Sequence, residues 1–395
     1  MAKRIAATGG EAVAYAVRDM DVDVIAAYPI TPQTVIAEKL ADLIADGELD
    51  AEMIHVESEH SALSASVAAS LAGARVFTAT ASQGLELMHE ILFIASGLRA
   101  PLVMALATRA LSAPISIWND YGDLASARDT GWIILVSENV QEAYDNVVQA
   151  YRIAENPDVL LPVMVALDGF ILSHTVEPLE MIPREELAEY APKRPYGYRP
   201  VLNPEKPLTM GTLADPKWYY EVKRQQVEAL RNAAKYVEEA GKEFGRRFGR
   251  EYGFIEEYMM DDADYAIVVM GAVSGTVKAA AKRLREKGVK AGVVKVRMYR
   301  PFPADTVARA LENVKAVGVL DKAILFGSTL EGPLAMDVAA TLYTRGLDKP
   351  FISFIHGIGG RDVYVADVVK MYEKLAEAAE KGEKTPKTIY FGVRE

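Results

Sequence analysis

Short apolar runs alternate with longer amphipathic segments along the first 170 residues. The apolar runs lack the polar alternation of half-exposed strands, which is typical of strands buried on both faces of a parallel sheet. Strands are predicted at residues 24–27, 53–56, 75–80, 102–107, 133–136 and 163–167, and helices at residues 33–45, 58–71, 82–94 and 140–154. This order predicts a doubly wound, mostly parallel α/β sheet.

The alternation of strands and helices stops near residue 177 and resumes near residue 263. Residues 177–216 contain eight prolines and predict an extended arm, and residues 217–247 have a long, charged helical pattern. Further strands are predicted at residues 265–270, 292–296, 316–320 and 351–355. We therefore predict three parts, which are a sheet domain over residues 1–176, an arm and helical linker over residues 177–262, and a smaller α/β domain over residues 263–395.

Composition limits the classes of function. The chain has 395 residues and a net charge of −11, which argues against a nucleic-acid partner. No apolar stretch is long enough to span a membrane and no signal peptide is evident, so a cytoplasmic protein is expected. The chain has no cysteine, which excludes thiolate-held zinc and iron–sulfur clusters within it, and its five scattered histidines predict no metal site.

The strand predicted at residues 24–27 is followed by the segment Tyr28-Pro29-Ile30-Thr31-Pro32. Pro32 disfavours the α conformation at the residue before it, so Thr31 should be extended and Pro32 should open the next helix. A hydroxyl group then lies at the carboxyl end of a strand beside a helix N-terminus, where open α/β sheets bind anionic ligands. The alternative is that Thr31 is an ordinary helix cap.

Two acids, Glu57 and Glu59, follow the second predicted strand. Residues two apart cannot share one face of a helix, so only one of these acids is expected to point into the crevice. The next helix is apolar and rich in small residues, and an acid at the head of a buried helix can hold and exchange a proton. The alternative is that Ser58 caps this helix and both acids only complement its dipole.

The third and fourth predicted strands lead to Ser82-Gln83-Gly84, which opens a helix, and to Arg109. A guanidinium group at this edge can bind a carboxylate through two parallel hydrogen bonds. The crevice would then combine a hydroxyl, an acid, a helix N-terminus and a cation. The alternative is an ion pair between Arg109 and one of three downstream aspartates, Asp120, Asp123 and Asp129.

Two other segments of the chain bear on function less directly. No helix is predicted over residues 110–130, and so long a connection indicates a functional or interfacial role. Residues 271–275 form a glycine-bearing loop between a strand and a helix, a position from which such loops can hold phosphate. The loop lacks the full dinucleotide pattern, so plain packing of strand against helix is the favoured interpretation.

Seven motifs carry a resemblance to a known family. They are Tyr-Pro-Ile-Thr-Pro at 28–32, Val-Glu-Ser-Glu-His-Ser-Ala at 56–62, Thr-Ala-Thr-Ala-Ser-Gln-Gly-Leu at 78–85, Arg-Ala-Leu-Ser-Ala-Pro-Ile at 109–115, Trp-Asn-Asp at 118–120, Arg-Asp-Thr-Gly-Trp at 128–132 and Ile-Gly-Gly-Arg-Asp-Val at 358–363. On these motifs the chain resembles the alpha subunit of archaeal and bacterial pyruvate:ferredoxin oxidoreductases, including their branched-chain 2-oxoacid relatives. The resemblance implies a pyrimidine-binding domain of the thiamin diphosphate fold, followed by a smaller transketolase C-terminal-like domain.

The resemblance also implies roles for the residues of the crevice. Glu59 matches the acid that hydrogen-bonds the aminopyrimidine ring of thiamin diphosphate and promotes its imino form, with Glu57 as the second candidate. Thr31 and Arg109 match the residues that bind the substrate carboxylate. The other residues that the resemblance assigns to cofactor binding are Tyr28, Pro29, Ile30, Ser82, Gln83 and Gly84.

The sequence lacks two features that such enzymes need. It has no Gly-Asp-Gly motif, which holds magnesium and the diphosphate, and no cysteine. The resemblance therefore implies that Mg²⁺ and 4Fe–4S clusters are on partner beta, gamma and delta subunits, and that this chain is inactive alone. Ferredoxin, coenzyme A and pyruvate are the further partners expected. A branched-chain 2-oxoacid such as 2-oxoisovalerate is the alternative substrate, and a non-catalytic assembly subunit of the same fold is the alternative role.

Overall fold

A computed structural model describes residues 3–193, 204–383 and 385–394 of the chain. The strands are β1 (Lys3–Thr8), β2 (Val24–Ala27), β3 (Glu52–His55), β4 (Val76–Thr80), β5 (Val103–Thr108), β6 (Ile133–Val136), β7 (Val163–Asp168), β8 (Val176–Met181), β9 (Ile255–Tyr258), β10 (Tyr265–Val269), β11 (Ala291–Val296), β12 (Met298–Arg300), β13 (Ala316–Asp321), β14 (Phe351–Ile355) and β15 (Lys387–Tyr390). The helices are α1 (Gly9–Asp19), α2 (Thr34–Ala45), α3 (Glu59–Ala72), α4 (Ser82–Leu87), α5 (His89–Gly97), α6 (Gly122–Ala127), α7 (Val140–Ala154), α8 (Arg184–Tyr190), α9 (Tyr219–Phe248), α10 (Val273–Arg285), α11 (Ala304–Leu311), α12 (Pro333–Thr344) and α13 (Val365–Lys381).

The larger sheet contains all six strands predicted in the first part of the chain. Its order is β12-β6-β7-β5-β4-β2-β3, and neighbouring strands are parallel except at β12. Alternate residues of β5 enter two separate core clusters, with Val103 and Ala105 in one and Met104 and Leu106 in the other. Both faces of the sheet are therefore covered, and the predicted doubly wound fold is confirmed.

The smaller sheet has the order β15-β14-β13-β10-β11-β9, and only β9 runs antiparallel to its neighbour. The four strands predicted beyond residue 263 correspond to β10, β11, β13 and β14. The two edge strands, β9 and β15, were not predicted. Both consist of half-buried and exposed residues only, so they lack the apolar run that marks the inner strands.

The two sheets share one hydrophobic core. Strand β12 leaves the second α/β unit and pairs with β6 at the edge of the larger sheet. One core cluster contains Trp132 and Val136 from the first unit together with Val268 and Leu334 from the second. The second unit therefore packs directly on the sheet that carries the candidate site.

The pattern of apolar residues missed four elements near the ends of the first unit, which are β1, α1, β8 and α8. The N-terminal strand β1 pairs antiparallel with β8, and between β1 and α1 Thr8 and Glu11 form a capping box. The proline-rich stretch predicted to be an extended arm begins with β8 and α8, so that prediction is wrong for its first part. Pro178 is tolerated in β8 because a two-stranded sheet leaves one edge unpaired. Residues 194–203 of the stretch lie outside the described residues.

Three helix predictions have mixed outcomes. The long helix predicted at residues 217–247 is α9, which buries Ala233, Val237 and Phe244 on one face. The helix predicted at residues 82–94 is divided at Met88 into α4 and α5. Residues 110–130 contain α6, although no helix was predicted there, because six residues are too few to show a helical period. None of the helices in the described ranges is both long and apolar enough to cross a bilayer.

A buried ion pair ties the sheet to the helices behind it. Arg75 Nε donates to Glu155 Oε1 at 2.7 Å, and Arg75 Nη2 donates to Glu155 Oε2 at 2.6 Å. Arg75 Nη1 also donates to the carbonyl oxygen of Met20 at 2.8 Å. The side chains of Arg75 and Glu155 are only 4% and 10% exposed. This two-bond geometry compensates the cost of taking both charges out of water.

We expect Arg75→Ala to lower the free energy of unfolding by about 3–5 kcal/mol, because Glu155 is then left buried and unpaired. The matched control is Lys242→Ala, which removes an ion pair to Glu238 of 2.7 Å on the exposed side of α9. Exposed pairs contribute little, so the control should unfold like the wild type. Chemical denaturation measures both, and equal stabilities of the two variants would contradict the prediction.

Candidate active site at the edge of the larger sheet

The carboxyl ends of β2, β4 and β5 lie side by side, because these strands are parallel neighbours. Thr31, Ser82 and Arg109 follow these three strands. Arg109 Nη1 donates to the carbonyl oxygen of Thr31 at 3.0 Å, and Ser82 Oγ donates to that of Ala110 at 2.6 Å. The structure therefore brings together the residues that the sequence predicted at one edge.

Thr31 does not cap the helix that follows it. Helix α2 begins at Thr34, its N-cap is Gln33, and no side chain caps it. Thr31 is exposed at the sheet edge, and Pro32 precedes the helix instead of opening it. The helix-cap alternative for Thr31 and the predicted place of Pro32 in the first turn are both wrong.

Arg109 is buried, with 6% of its surface exposed. Its guanidinium group donates to two carbonyl oxygens, those of Ser116 through Nε and Thr31 through Nη1, each at 3.0 Å. Among the described residues it has no ion-pair partner. Burial lowers the pKa of Arg109, and the nearby Asp123 opposes this shift. A buried cation with unused donors is suited to bind an anionic group.

The alternative ion pair between Arg109 and a downstream aspartate is wrong. Asp123 Oδ2 accepts hydrogen bonds from the backbone N–H groups of Arg109 at 3.0 Å and of Ser82 at 2.8 Å. Asp120 and Asp129 bind other groups. Burial raises the pKa of Asp123 to about 8, although its backbone donors work in the opposite direction.

The two acids that follow β3, Glu57 and Glu59, have different surroundings in the structure. Glu59 is the first residue of α3 and is 7% exposed, whereas Glu57 is exposed. The Ser61 hydroxyl donates to the Glu57 carboxylate and lowers the pKa of Glu57. Ser58 caps α3 through the Ser61 N–H, as the capping alternative predicted. The Glu59 carboxyl has neither a hydrogen bond nor an ion pair to any described residue.

Gly84 allows Glu59 to occupy its position. A Cβ atom added to Gly84 would lie 2.6 Å from Glu59 Oε1 and 2.4 Å from Thr80 Oγ1, so a larger residue would displace one of them. The Thr80 hydroxyl is buried and has no hydrogen-bond partner in the described part of the chain. Two buried polar groups without partners therefore lie against the backbone of Gly84, in the place that a larger side chain would take. Such groups are normally satisfied, so this place fits a polar ligand.

Sequence reasoning missed Thr80 and Gln33. Gln33 is buried, its Oε1 accepts from the N–H of Ile30 at 3.2 Å, and its Nε2 lacks a partner among the described residues. A polar residue at the last position of a buried strand was the available signal for Thr80. No comparable signal marked Gln33, because amides are common in the first turns of helices.

The remaining predicted residues form the rim of the site. Tyr28 is 37% exposed, Pro29 is exposed, and Ile30 is half-buried. Gln83 is half-buried, and its Oε1 lies 2.6 Å from Ser82 Oγ. The site is therefore closed at its base around Glu59 and open at its rim.

Two other polar places in the fold are occupied by the protein's own side chains. The carboxylates of Glu138, Glu142 and Glu256 lie close enough to hold a metal ion, but Lys295 Nζ contacts all three at 2.9, 2.5 and 2.8 Å. The loop at residues 271–275 packs on the first unit, because a Cβ at Gly271 would lie 2.6 Å from an oxygen of Asp168. This contact agrees with the packing interpretation of that loop.

Comparison with known families identifies both parts of the fold. Residues 15–242 match the family described as "Pyruvate flavodoxin/ferredoxin oxidoreductase, thiamine diP-bdg". Residues 263–368 match "Pyruvate:ferredoxin oxidoreductase core domain II". The fold is that of a thiamin diphosphate-binding α/β protein. The chain belongs to the pyruvate:ferredoxin oxidoreductase family.

Individual relatives agree with this assignment. The chain is 47% identical to pyruvate synthase subunit PorA of Methanocaldococcus jannaschii, covering 98% of this chain and 97% of that one. It is 47% identical to PorA of Thermotoga maritima, covering 94% of each chain. It is also 46% identical to ketoisovalerate oxidoreductase subunit VorA of Pyrococcus abyssi, covering 95% and 94%.

Solved structures show the same fold. A 2-oxoglutarate:ferredoxin oxidoreductase from Magnetococcus marinus matches with a TM-score of 0.72 and 18% identity, covering 94% of this chain and 65% of that one. A split-gene transketolase matches with a TM-score of 0.55 and 14% identity, covering 94% of this chain and 98% of that one. At these identities the likeness concerns the fold alone.

We expect Gly84→Ala to abolish most oxidoreductase activity while the protein stays folded, because the added methyl group displaces the Glu59 carboxyl or the Thr80 hydroxyl. The matched control is Gly97→Ala at the end of α5, where an added Cβ meets no atom within 4 Å. The control should keep full activity and equal or higher stability. Turnover and thermal unfolding of both variants in the assembled enzyme test this, and an active Gly84→Ala enzyme would refute it.

Proposed function

We propose that this chain is the alpha subunit of a multi-subunit pyruvate:ferredoxin oxidoreductase. The enzyme would convert pyruvate and coenzyme A to acetyl-CoA and CO₂, with two electrons passing to ferredoxin. The proposal rests on one observation. Two buried side chains without charged partners among the described residues, the acid Glu59 and the cation Arg109, follow strands at the same sheet edge. Relatives of nearly the same length named pyruvate synthase subunit PorA support the choice of pyruvate.

The base of the site fits the aminopyrimidine half of thiamin diphosphate. Thiamin diphosphate, when bound, supplies the carbanion chemistry that cleaves the bond next to a 2-oxo group. On this chain the carboxyl of Glu59 would hydrogen-bond a ring nitrogen of the cofactor, because it is buried and has no partner among the described residues. Gly84 leaves room for the Glu59 carboxyl in its present position, and Thr80 offers a second buried polar atom.

The mouth of the site fits the carboxylate of a 2-oxoacid. The Arg109 guanidinium is held by two carbonyl oxygens, which fix its direction but leave its charge uncompensated. A planar guanidinium matches the two oxygens of a carboxylate. Thr31 lies next to it and offers a hydroxyl as a further donor. These two residues would hold and orient the carboxylate of the substrate.

The chain's own residues make only part of an active enzyme. It carries no cysteine for iron–sulfur clusters and no Gly-Asp-Gly motif for magnesium and the diphosphate. We propose that beta, gamma and delta subunits in the cytoplasm supply these groups and the contact with ferredoxin. A branched-chain 2-oxoacid is the second candidate substrate, because the VorA relative is nearly as similar as the PorA relatives. Rates of the assembled complex with pyruvate and 2-oxoisovalerate separate the two candidates.

We expect Glu59→Gln to lower turnover by on the order of a hundredfold or more, because an amide of the same shape cannot exchange the proton. The reaction to measure is the pyruvate- and CoA-dependent reduction of ferredoxin by the assembled complex. Glu57→Gln is the matched control, since Glu57 is exposed and should tolerate the change. An active Glu59→Gln enzyme beside an inactive Glu57→Gln enzyme would transfer the role to Glu57.

We expect Arg109→Ala to raise the KM for the 2-oxoacid by about ten- to a hundredfold, since a hydrogen bond to a charged group contributes roughly 1.5–3 kcal/mol. Arg109→Lys should not restore the KM, because an ammonium group cannot reproduce the planar fork. Thr31→Ala should have a smaller effect. If Arg109 serves stability alone, Arg109→Ala will lower the unfolding temperature and leave the KM unchanged.

A further inference from the structure

Asp123 connects the two strand ends that carry the candidate site. Its Oδ2 accepts the backbone N–H of Ser82 at 2.8 Å, after β4, and the backbone N–H of Arg109 at 3.0 Å, after β5. Its Oδ1 accepts the N–H of Leu124 at 2.7 Å. Asp123 is completely buried, so water does not compete for these bonds.

The same two strand ends are joined by a second bond in the opposite direction. Ser82 Oγ donates to the carbonyl oxygen of Ala110 at 2.6 Å, while Ser82 N and Arg109 N both point at Asp123. Ser82 has a φ of 47°, a conformation that a non-glycine residue adopts only when its surroundings hold it there. These hydrogen bonds between the ends of β4 and β5, called the joint below, therefore fix the backbone of Arg109 and the start of α4, two residues before Gly84.

The residues before Asp123 are anchored to the second α/β unit. Tyr121 N donates to the carbonyl oxygen of Lys322 at 2.7 Å, and the Tyr121 hydroxyl donates to Asp168 at 2.5 Å. Lys322 Nζ lies 3.2 Å from the same carboxylate. One oxygen of Asp120 accepts the N–H of Gly359 at 3.2 Å. The segment that carries Asp123 is thus held between β7 of the first unit and β13 of the second.

We propose that Asp123 is a positioning residue, which sets the directions of Arg109 and of the first turn of α4, with Gly84, relative to each other. Through the Tyr121 anchor, the second α/β unit would hold the geometry of a site to which it contributes no ligand. The inference rests on the proposed function in one respect, namely that Arg109 binds the substrate carboxylate. Displacing a guanidinium by as little as an ångström is enough to weaken an oriented contact strongly.

The test uses Asp123→Ala and Asp123→Asn in the assembled complex. In Asp123→Ala the KM for pyruvate should rise about tenfold or more, and the amides of Ser82 and Arg109 should exchange hydrogen faster. Asp123→Asn should give smaller changes of both kinds, about threefold in KM. Its amide oxygen can replace Oδ2, but its NH₂ group then faces the Leu124 N–H and cannot accept that bond.

Ser126→Ala is the matched control, because Ser126 lies on the same helix and loses only bonds to Glu86 and to its own helix. It should leave the KM and both exchange rates unchanged. If Asp123→Ala does not fold, a wild-type KM and wild-type exchange in Asp123→Asn overturn the inference on their own. A lower unfolding temperature with unchanged KM and exchange in either variant also overturns it.

Failure of the proposed function gives a different result. If Arg109→Ala leaves the KM unchanged, Arg109 does not bind the substrate. The KM of the Asp123 variants then no longer reports the position of Arg109. The exchange rates of the Ser82 and Arg109 amides still report whether Asp123 holds the two strand ends. Slow exchange in Asp123→Ala would overturn the inference, and fast exchange would support the joint without the proposed substrate role.

Discussion

Parallel pairing of β2, β4 and β5 is the constraint on which the site depends. In a parallel sheet every strand ends at the same edge, so residues that are distant in the sequence follow neighbouring strands into one crevice. Thr31, Ser82 and Arg109 meet for this reason, and the hydrogen bond from Arg109 to Thr31 is its direct result. The antiparallel strand β12 sits at the far edge, away from these ends.

Buried ionisable side chains have charged partners behind the sheet but not at the candidate site. Behind the sheet, buried Arg75 meets Glu155 in a two-bond ion pair, which compensates the cost of burying both groups. At the sheet edge, Arg109 and Glu59 are buried to a similar degree and neither has a charged partner among the described residues. The chain pairs its buried ionisable groups behind the sheet but leaves these two unpaired, which costs stability and is expected where ligands supply the missing groups.

The sequence predicted this edge well because each relevant strand is a short, mostly apolar segment that leads into a turn or a helix. It failed where the signal was short or came from distant residues. Helix α6 has only six residues, and β12 has three and pairs with a strand far away in the sequence. The role of Asp123 could not be deduced, because it binds backbone groups of Ser82 and Arg109 that carry no sequence signal. The local pattern of apolar and polar residues predicts which segments are buried. It cannot tell which of the three aspartates after Arg109 contacts it, because that depends on the folded geometry.

The site is deep at one end and open at the other, and this asymmetry fits a half-site. Glu59 and Thr80 lie buried at its base, whereas Tyr28 and Thr31 are exposed at its rim. Strong electrostatic contacts to a substrate need exclusion of water, because solvent screens the charges involved. On the proposed function, the surface that closes the site at this exposed rim would belong to a partner subunit. The same partner would then supply the magnesium site and cover the exposed Tyr28, which makes assembly and closure of the site one event.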